Sequence, residues 1–320
     1  MFVIDLIVIL VFSFVLMKAT EILVGSLSRL SKKTNLGKFG LTAFLLALST
    51  SLPEVFVGVT AAIEGNPELS LGNVLGSNIA NLSLVIGGAA LISGSVGVVG
   101  RFLRKDFFTA FLAAALPLLL LLDGVLSRVD GAALLVVYVL YNVTVLWKER
   151  AYERKRKNIA FRIFNRLKSW DTDKEVMWLL IGSGLLLFSA DMLVKSAGRI
   201  ATELGAPVFL IGLFLVAVGT SLPEFSFEIG AIRRKEVGMV YGNLLGSVVA
   251  NSTLVLGITA LLAPVSLSNG LNSYLLATIV FVIVFGLFWL FAYSSNKLER
   301  WEGAVLLLVY IGFVLAEFWK

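Results

Sequence analysis

Two glutamates carry the chemistry of this chain, and each arrives in the same phrase. Residues 47–54 read ALSTSLPE and residues 217–224 read AVGTSLPE; residues 72–81 read GNVLGSNIAN and residues 242–251 read GNLLGSVVAN. Both pairs lie 170 residues apart, with no gap. Each copy sets a glutamate and a proline in otherwise apolar sequence. An acidic group at the centre of a membrane helix costs about 2.5–3.5 kcal/mol on insertion scales, so it marks function by default. Two of them in matching halves point to one ion site assembled from two related pieces.

Read as a helix, the first copy puts Ala47, Thr50, Ser51 and Glu54 on one face at i, i+3, i+4 and i+7. Pro53 lacks an N–H and clashes with the carbonyl four residues back. It therefore releases the carbonyl of Ser49 and loosens the turn near Ala47. A kinked backbone at membrane depth is tolerated where it lines a cavity or is buried in protein. Ala217, Thr220, Ser221, Pro223 and Glu224 repeat the arrangement. In the next helix Ser77 and Asn81 share a face at i, i+4, as do Ser247 and Asn251. Gly72 with Gly76, and Gly242 with Gly246, form small-xxx-small pairs that let helices approach closely. The convergent groups are all oxygens: carboxylates, hydroxyls, amide oxygens and freed carbonyls. With no Cys and no His in the chain, such a set suits Ca²⁺, Na⁺ or Mg²⁺ rather than Zn²⁺ or Cu²⁺. Ca²⁺ accepts six to eight oxygens in flexible geometry, whereas Mg²⁺ sheds water reluctantly, so many weak oxygens lean toward Ca²⁺.

The elements that position these groups are membrane helices. The chain is 58% apolar and only 15% charged, outside the range of soluble domains. Apolar stretches of spanning length recur at roughly 2–28, 37–63, 69–96, 106–123, 131–148, 175–197, 206–232, 237–263, 272–293 and 301–318. The first carries Asp5, has no basic leader and shows no cleavage site, so it reads as a retained helix. A basic linker at 149–174 separates an N-terminal half, 1–148, from a C-terminal half, 175–320. If loops alternate sides, 22 of the 27 Lys and Arg fall on the side of that linker, which makes that side cytoplasmic and puts both termini outside. Five spans per half is an odd number, so the second half enters the bilayer in the opposite sense. The acidic loop 64–68 (EGNPE) falls outside and its basic counterpart 233–236 (RRKE) falls inside, as inversion requires. The expected fold is an all-α integral membrane protein of the cell membrane, with ten transmembrane helices in two inverted five-helix repeats. The linker's basic charge reads as a cytoplasmic, lipid-touching connector rather than a nucleic-acid site.

The doubled phrase, each copy followed by G-N-x-x-G-S-x-x-A-N, resembles the alpha repeats of the calcium/cation antiporter superfamily, which includes the sodium/calcium and proton/calcium exchangers. The likeness covers both repeats and the ten-helix layout. It implies Ca²⁺ ligands at Thr50, Glu54, Thr220 and Glu224, and further ion contacts from Ala47, Ser51, Ser77, Asn81, Ala217, Ser221, Ser247 and Asn251. It also implies alternating access in which the first and sixth spans slide against a fixed core, with Ca²⁺ and a monovalent cation as cargo and no cofactor. One position departs from the resemblance. Prokaryotic sodium/calcium exchangers of similar size often carry Asp where this chain has Asn251. Two carboxylates offset one Ca²⁺ and afterwards take two protons, so the count favours H⁺ over Na⁺ as counter-ion. The loops, however, lack the G-N-x-x-E variant associated with proton/calcium exchangers.

Rival readings fit less well. A channel is usually built by symmetric subunits around a continuous pore, and a membrane hydrolase lacks His, Cys or a phosphate-cradling loop here. Outside the motif, Glu21 and Asp191 match at the same offset and are expected to pair with Lys18 and Lys195. Glu228, where the first half has Gly58, reads as a polar contact near the cytoplasmic end of its span. Trp147, Trp170, Trp178 and Trp319 read as interfacial anchors.

Overall fold

The computed structural model describes residues 2–34, 50–97, 103–152, 173–233, 237–267, 271–294 and 297–319. Ala47, Ser49, residues 37–49 of the second expected span and residues 153–172 of the linker lie outside the described residues.

A chain in hydrocarbon must satisfy its backbone internally, so apolar stretches of this length become helices. In chain order they are α1 (Phe2–Thr34), α2 (Leu52–Ile63), α3 (Pro67–Ser93), α4 (Leu103–Leu120), α5 (Arg128–Tyr152), α6 (Asp173–Leu204), α7 (Val208–Arg233), α8 (Val237–Val249, continuing to Leu262), α9 (Leu271–Ser294) and α10 (Arg300–Phe318). Among the described residues seven of these contain a segment long and apolar enough to cross a bilayer. The exceptions are α2 and α4, which are shorter, and α10, which has 19 residues. Pro67 begins α3, where its missing N–H costs nothing. Pro117 falls inside α4, which tightens into a 3₁₀ turn at Leu121–Asp123 before Gly124 reverses the chain with φ 86°.

Two packing units result. Helix α1 runs along α6, with Ile9, Leu16 and Ala19 against Leu186, Ala190, Leu193, Val194 and Ala197. Asp5 of α1 is buried, and its Oδ1 accepts hydrogen bonds from Arg199 of α6 at 2.8 Å and 2.5 Å. The larger cluster gathers α3–α5 and α7–α10 around Phe281, Phe285 and Phe288. The expected surface pairs are present: Lys18 to Glu21 at 2.8 Å and Lys195 to Asp191 at 2.8 Å.

The helices are not the whole fold, and the expectation of a purely helical chain needs one addition. Strand β1 (Ser95–Gly97) pairs antiparallel with β4 (Lys297–Glu299), and β2 (Val125–Leu126) with β3 (Val265–Ser266). Each ribbon takes one strand from each half. At the 170-residue offset β1 falls on β3, and β2 falls within two residues of β4, so the two ribbons exchange under the relation that links the repeats.

Candidate cation site

Pro223 shapes α7 as its residue type demands. The helix runs through Ala217–Thr220, breaks at Ser221 with φ −83° and ψ 0°, and resumes at Leu222. The Ser221 N–H donates to the Ala217 carbonyl at 3.0 Å, and the Phe225 N–H to the Ser221 carbonyl at 3.1 Å. In the first half Val55 donates to Ser51 at the same 3.1 Å, and α2 resumes at Leu52. Glu54 and Glu224 therefore sit in the first turn of a restarted helix, where the macrodipole favours a negative charge. Single π-helical turns, which in helices frequently mark functional positions, occur at Asn81–Val85, Gly212–Val216 and Ala250–Val255. Two of the three contain Asn81 and Asn251.

Helix α3 lies against α7 with little between the backbones. A Cβ on Gly72 would fall onto the Phe209 carbonyl, and one on Gly76 would meet the Ala217 Cβ at 2.6 Å. The expected small-residue approach is thus made by Gly72 and Gly76. The counterparts of Phe209–Ala217 at the repeat offset, residues 39–47, lie outside the described residues, so the approach at Gly242 and Gly246 is not described.

The approach lets each half grip the other's threonine. Thr220 Oγ1 donates to Asn73 Oδ1 at 3.0 Å and lies 3.2 Å from Ser77 Oγ. Thr50 Oγ1 donates to Asn243 Oδ1 at 2.9 Å and lies 3.0 Å from Ser247 Oγ. Asn73 and Asn243 are 170 residues apart, as are the threonines and the serines. Ser77 also donates to the Ala217 carbonyl at 3.4 Å. Glu54 stands beside Thr220 and Ser77, and Glu224 stands beside Ser247 in the field of Glu54. All these groups are buried.

Buried polar atoms are almost always hydrogen-bonded. Here Ser51 Oγ, Ser221 Oγ, both carboxylate oxygens of Glu54 and of Glu224, Asn81 Oδ1 and Asn251 Oδ1 have no partner among the described residues. These eight oxygens match in type what a hard cation requires, and Ca²⁺ takes six to eight. A carboxylate pair at this depth needs a cation or protons to neutralise it.

Thr50, Ser51, Glu54, Ser77, Asn81, Ala217, Thr220, Ser221, Glu224, Ser247 and Asn251 are all buried. The hydrogen bonds draw Thr50 to Ser247, and Thr220 to Ser77 and Ala217. The two asparagines are less alike than the repeat suggests. Asn251 Nδ2 donates to Asn78 Oδ1 at 3.2 Å, and Asn78 Nδ2 donates to Ser252 Oγ at 2.8 Å. Asn81 has neither amide atom paired among the described residues. Asn73, Asn243 and Asn78 were missed in the sequence, although Asn73 and Asn243 repeat at the 170-residue offset within the quoted motif. Glu228 needs correction. It was expected to make a polar contact, yet it is fully buried and neither carboxylate oxygen has a partner among the described residues.

The family model for sodium/calcium exchanger proteins matches residues 4–147 and 174–319. The chain belongs to this family. It is thereby a member of the calcium/cation antiporter superfamily: a multi-pass membrane ion transporter of the antiport class, not an enzyme. The sodium/calcium exchanger MaX1 of Methanosarcina acetivorans is 27% identical, over 95% of each chain. The inner membrane protein YrbG of Escherichia coli strain K12 is 31% identical, over 75% of this chain and 76% of its own. Among solved structures, the sodium-calcium exchanger NCX_Mj soaked with 2.5 mM Na⁺ and 10 mM Sr²⁺ superposes with TM-score 0.67 at 27% identity, covering 98% of this chain and 99% of that one. The same exchanger soaked with 2.5 mM Na⁺ and 0.1 mM Ca²⁺ gives TM-score 0.65 at 28% identity.

Proposed function

We propose that this protein exchanges Ca²⁺ for Na⁺ across the cell membrane by alternating access. The observation that carries the reading is the reciprocal grip at the centre. Thr50 and Thr220 are each held by an Asn–Ser pair of the opposite half, beside two buried carboxylates without hydrogen-bond partners among the described residues. Ca²⁺ would be held by Glu54 and Glu224 with Thr50 and Thr220. Ser51, Ser77, Asn81, Ser221, Ser247, Asn251 and the backbone at Ala47 and Ala217 would serve as further ion contacts. Two carboxylates neutralise one Ca²⁺, and Na⁺ takes the same oxygen donors after Ca²⁺ leaves. Na⁺ as counter-ion is supported by relatives named as sodium/calcium exchangers.

A second reading, H⁺ as counter-ion, is supported by the carboxylate count at the matched positions, because a buried pair that loses Ca²⁺ accepts two protons.

The architecture we infer has ten spans in two inverted halves, 1–148 and 175–320, with both termini outside and the 149–174 linker cytoplasmic. The opposite charges of loops 64–68 and 233–236 and the reciprocal ribbons and hydrogen bonds fit that two-fold relation. The long mutual packing of α1 and α6, whose apolar side chains also meet α2 and α7 through Val57, Ala61, Ile211 and Val216, suits a pair that slides against the rest.

The test is ⁴⁵Ca²⁺ uptake into proteoliposomes under an imposed Na⁺ gradient or an imposed pH gradient. Na⁺-driven uptake, abolished by Glu54→Gln and by Glu224→Gln, is expected. Uptake driven only by the pH gradient selects the proton reading, and near-normal flux in either glutamine variant refutes the site.

A further inference from the structure

Glu228 breaks the symmetry of the site. It lies four residues beyond Glu224 on α7, on the same face and about 6 Å further along the axis. Its counterpart at the repeat offset is Gly58, and the surroundings of the two positions differ in chemistry. A Cβ on Gly58 would meet Thr259 Oγ1 at 2.8 Å, Ser70 Oγ at 2.9 Å and Val255 Cγ1 at 2.9 Å. Ser70 and Thr259 hydrogen-bond each other at 2.8 Å. The first half thus fills this place with two hydroxyls that satisfy one another, and leaves no room for a side chain. The offset counterparts of Ser70, Thr259 and Val255 are Val240, Ala89 and Val85. The second half has lost both hydroxyls and gained a carboxylate.

That exchange has no structural benefit. Glu228 is 0% exposed, and neither oxygen has a hydrogen-bond partner among the described residues. No basic side chain acts on it among the described residues. The charged or titratable groups that share its field are Glu224 on its own helix and Tyr241 on α8, with Glu302 of α10 acting on Tyr241 in turn. A buried, unpaired carboxylate costs several kcal/mol, and removing it would stabilise the fold. A carboxylate kept inside a membrane helix under those terms serves an ion.

We propose that Glu228 is a third cation-binding carboxylate, which takes one Na⁺ beside the Glu54–Glu224 pair. The inference rests on the reading of the chain as a Na⁺/Ca²⁺ antiporter. A single carboxylate balances the charge of one Na⁺ and not that of Ca²⁺; the remaining oxygens of the Na⁺ shell would come from water or backbone carbonyls, because the hydroxyl and amide set of the central pair is not repeated here. Ca²⁺ needs six to eight oxygens and a second negative charge. Glu228 also changes the charge count. The pair at the centre neutralises one Ca²⁺ or two monovalent ions, and the third carboxylate admits one monovalent ion more.

The experiment counts bound Na⁺ per chain by ²²Na⁺ equilibrium dialysis of the purified full chain at saturating Na⁺ without Ca²⁺. Glu228→Gln is expected to bind one Na⁺ fewer than the parent while still binding ⁴⁵Ca²⁺, and Glu228→Asp to keep the parent's number. Glu228→Gly, which copies the first half, is the second variant if the glutamine form does not fold, with the same expected loss. An unchanged Na⁺ count in the Gln or Gly variant overturns the proposal, as does an equal loss in Glu228→Asp. A parent that binds Na⁺ yet shows no Na⁺-driven Ca²⁺ flux defeats the antiport reading instead, and leaves the Na⁺ comparison to stand alone.

Discussion

Replacing Asn78 by leucine removes the group that fixes Asn251. Asn78 is buried on α3, takes a hydrogen bond from Asn251 Nδ2 at 3.2 Å and gives one to Ser252 Oγ at 2.8 Å. Because the amide nitrogen of Asn251 is committed to Asn78, its oxygen remains the free acceptor. Leucine has a similar volume and neither polar group. Two hydrogen bonds at about 0.5–1.5 kcal/mol each are lost, and a stranded amide nitrogen adds about 1–3 kcal/mol unless it turns to find a new acceptor. Turning presents NH₂ where an oxygen stood. We expect unfolding destabilised by about 2–6 kcal/mol, toward the lower end if the amide finds a new acceptor. Ca²⁺ affinity should fall about 5- to 30-fold, equivalent to about 1–2 kcal/mol for one misdirected ligand. Thermal unfolding without Ca²⁺ and calorimetric titration with Ca²⁺ measure the two effects separately. Val248 stands at the offset counterpart of Asn78, and Val248→Ala should lower stability through a small cavity while leaving Ca²⁺ affinity alone. An Asn78→Leu protein that is destabilised but binds Ca²⁺ like the parent would show that the amide orientation does not matter to the site.

Other perturbations separate packing, coupling and charge. Gly76→Ala should lower the unfolding temperature by an overpacking cost of about 1–3 kcal/mol, because its Cβ meets Ala217 Cβ at 2.6 Å. Gly184→Ala on α6, with no described atom within 4 Å of the new methyl, should be neutral or stabilising by up to about 1 kcal/mol; a melting curve for each decides. A double-mutant cycle of Thr220→Val with Ser77→Ala should return a coupling of about 0.5–3 kcal/mol across the halves, and strict additivity would remove that contact from the account. At the start of α10, Lys297 holds the Glu299 carboxyl below the usual carboxylate range, helped by the Trp301 indole N–H. Glu299 and Glu302 form a capping box there. A depressed carboxyl contributes stability above its unfolded value and loses it as pH falls through its folded value. Hydrogen exchange at residues 299–303 should therefore quicken on acidification below the usual carboxylate range and not between pH 6 and 8, which lies about two units above that range.

The helices were legible because hydrocarbon leaves an apolar chain one way to satisfy its backbone, and each of the expected stretches contains a helix among the described residues. The candidate site was legible because its parts occur twice. Thr50 and Thr220, with Glu54 and Glu224, stand out only against their own copies. Repetition also hid what differs between copies. Glu228 has a glycine as its counterpart and Asn78 a valine, so neither gained weight from the repeat. The carboxylate count that favours H⁺ covers the matched positions, and Glu228 lies outside them. Asn73 and Asn243 carried the same doubled signal as Asn81 and Asn251, and were passed over because they lie one turn before the Ser–Asn face. The Asp5–Arg199 pair and the two ribbons were beyond reach for a different reason. They join residues far apart in the chain, from Leu126 with Val265 to Ser95 with Glu299, and a strand of two or three residues has no periodicity to read.

The ribbons bear on the order of events during synthesis. Ser95 finds its partner only in Glu299, and Val125 only in Ser266. At about 5–20 residues per second, β1 waits about 10–40 s after it is made before β4 exists. Throughout that interval the first half has finished helices and unfinished connections. For the first part of that interval its site carboxylate also lies without Thr220, the hydroxyl beside it from the other half. The two halves therefore cannot mature in succession. The parts contributed by the second half arrive in order, Thr220 first, then β3 and last β4, so the β1–β4 ribbon cannot close until the start of α10 has been made.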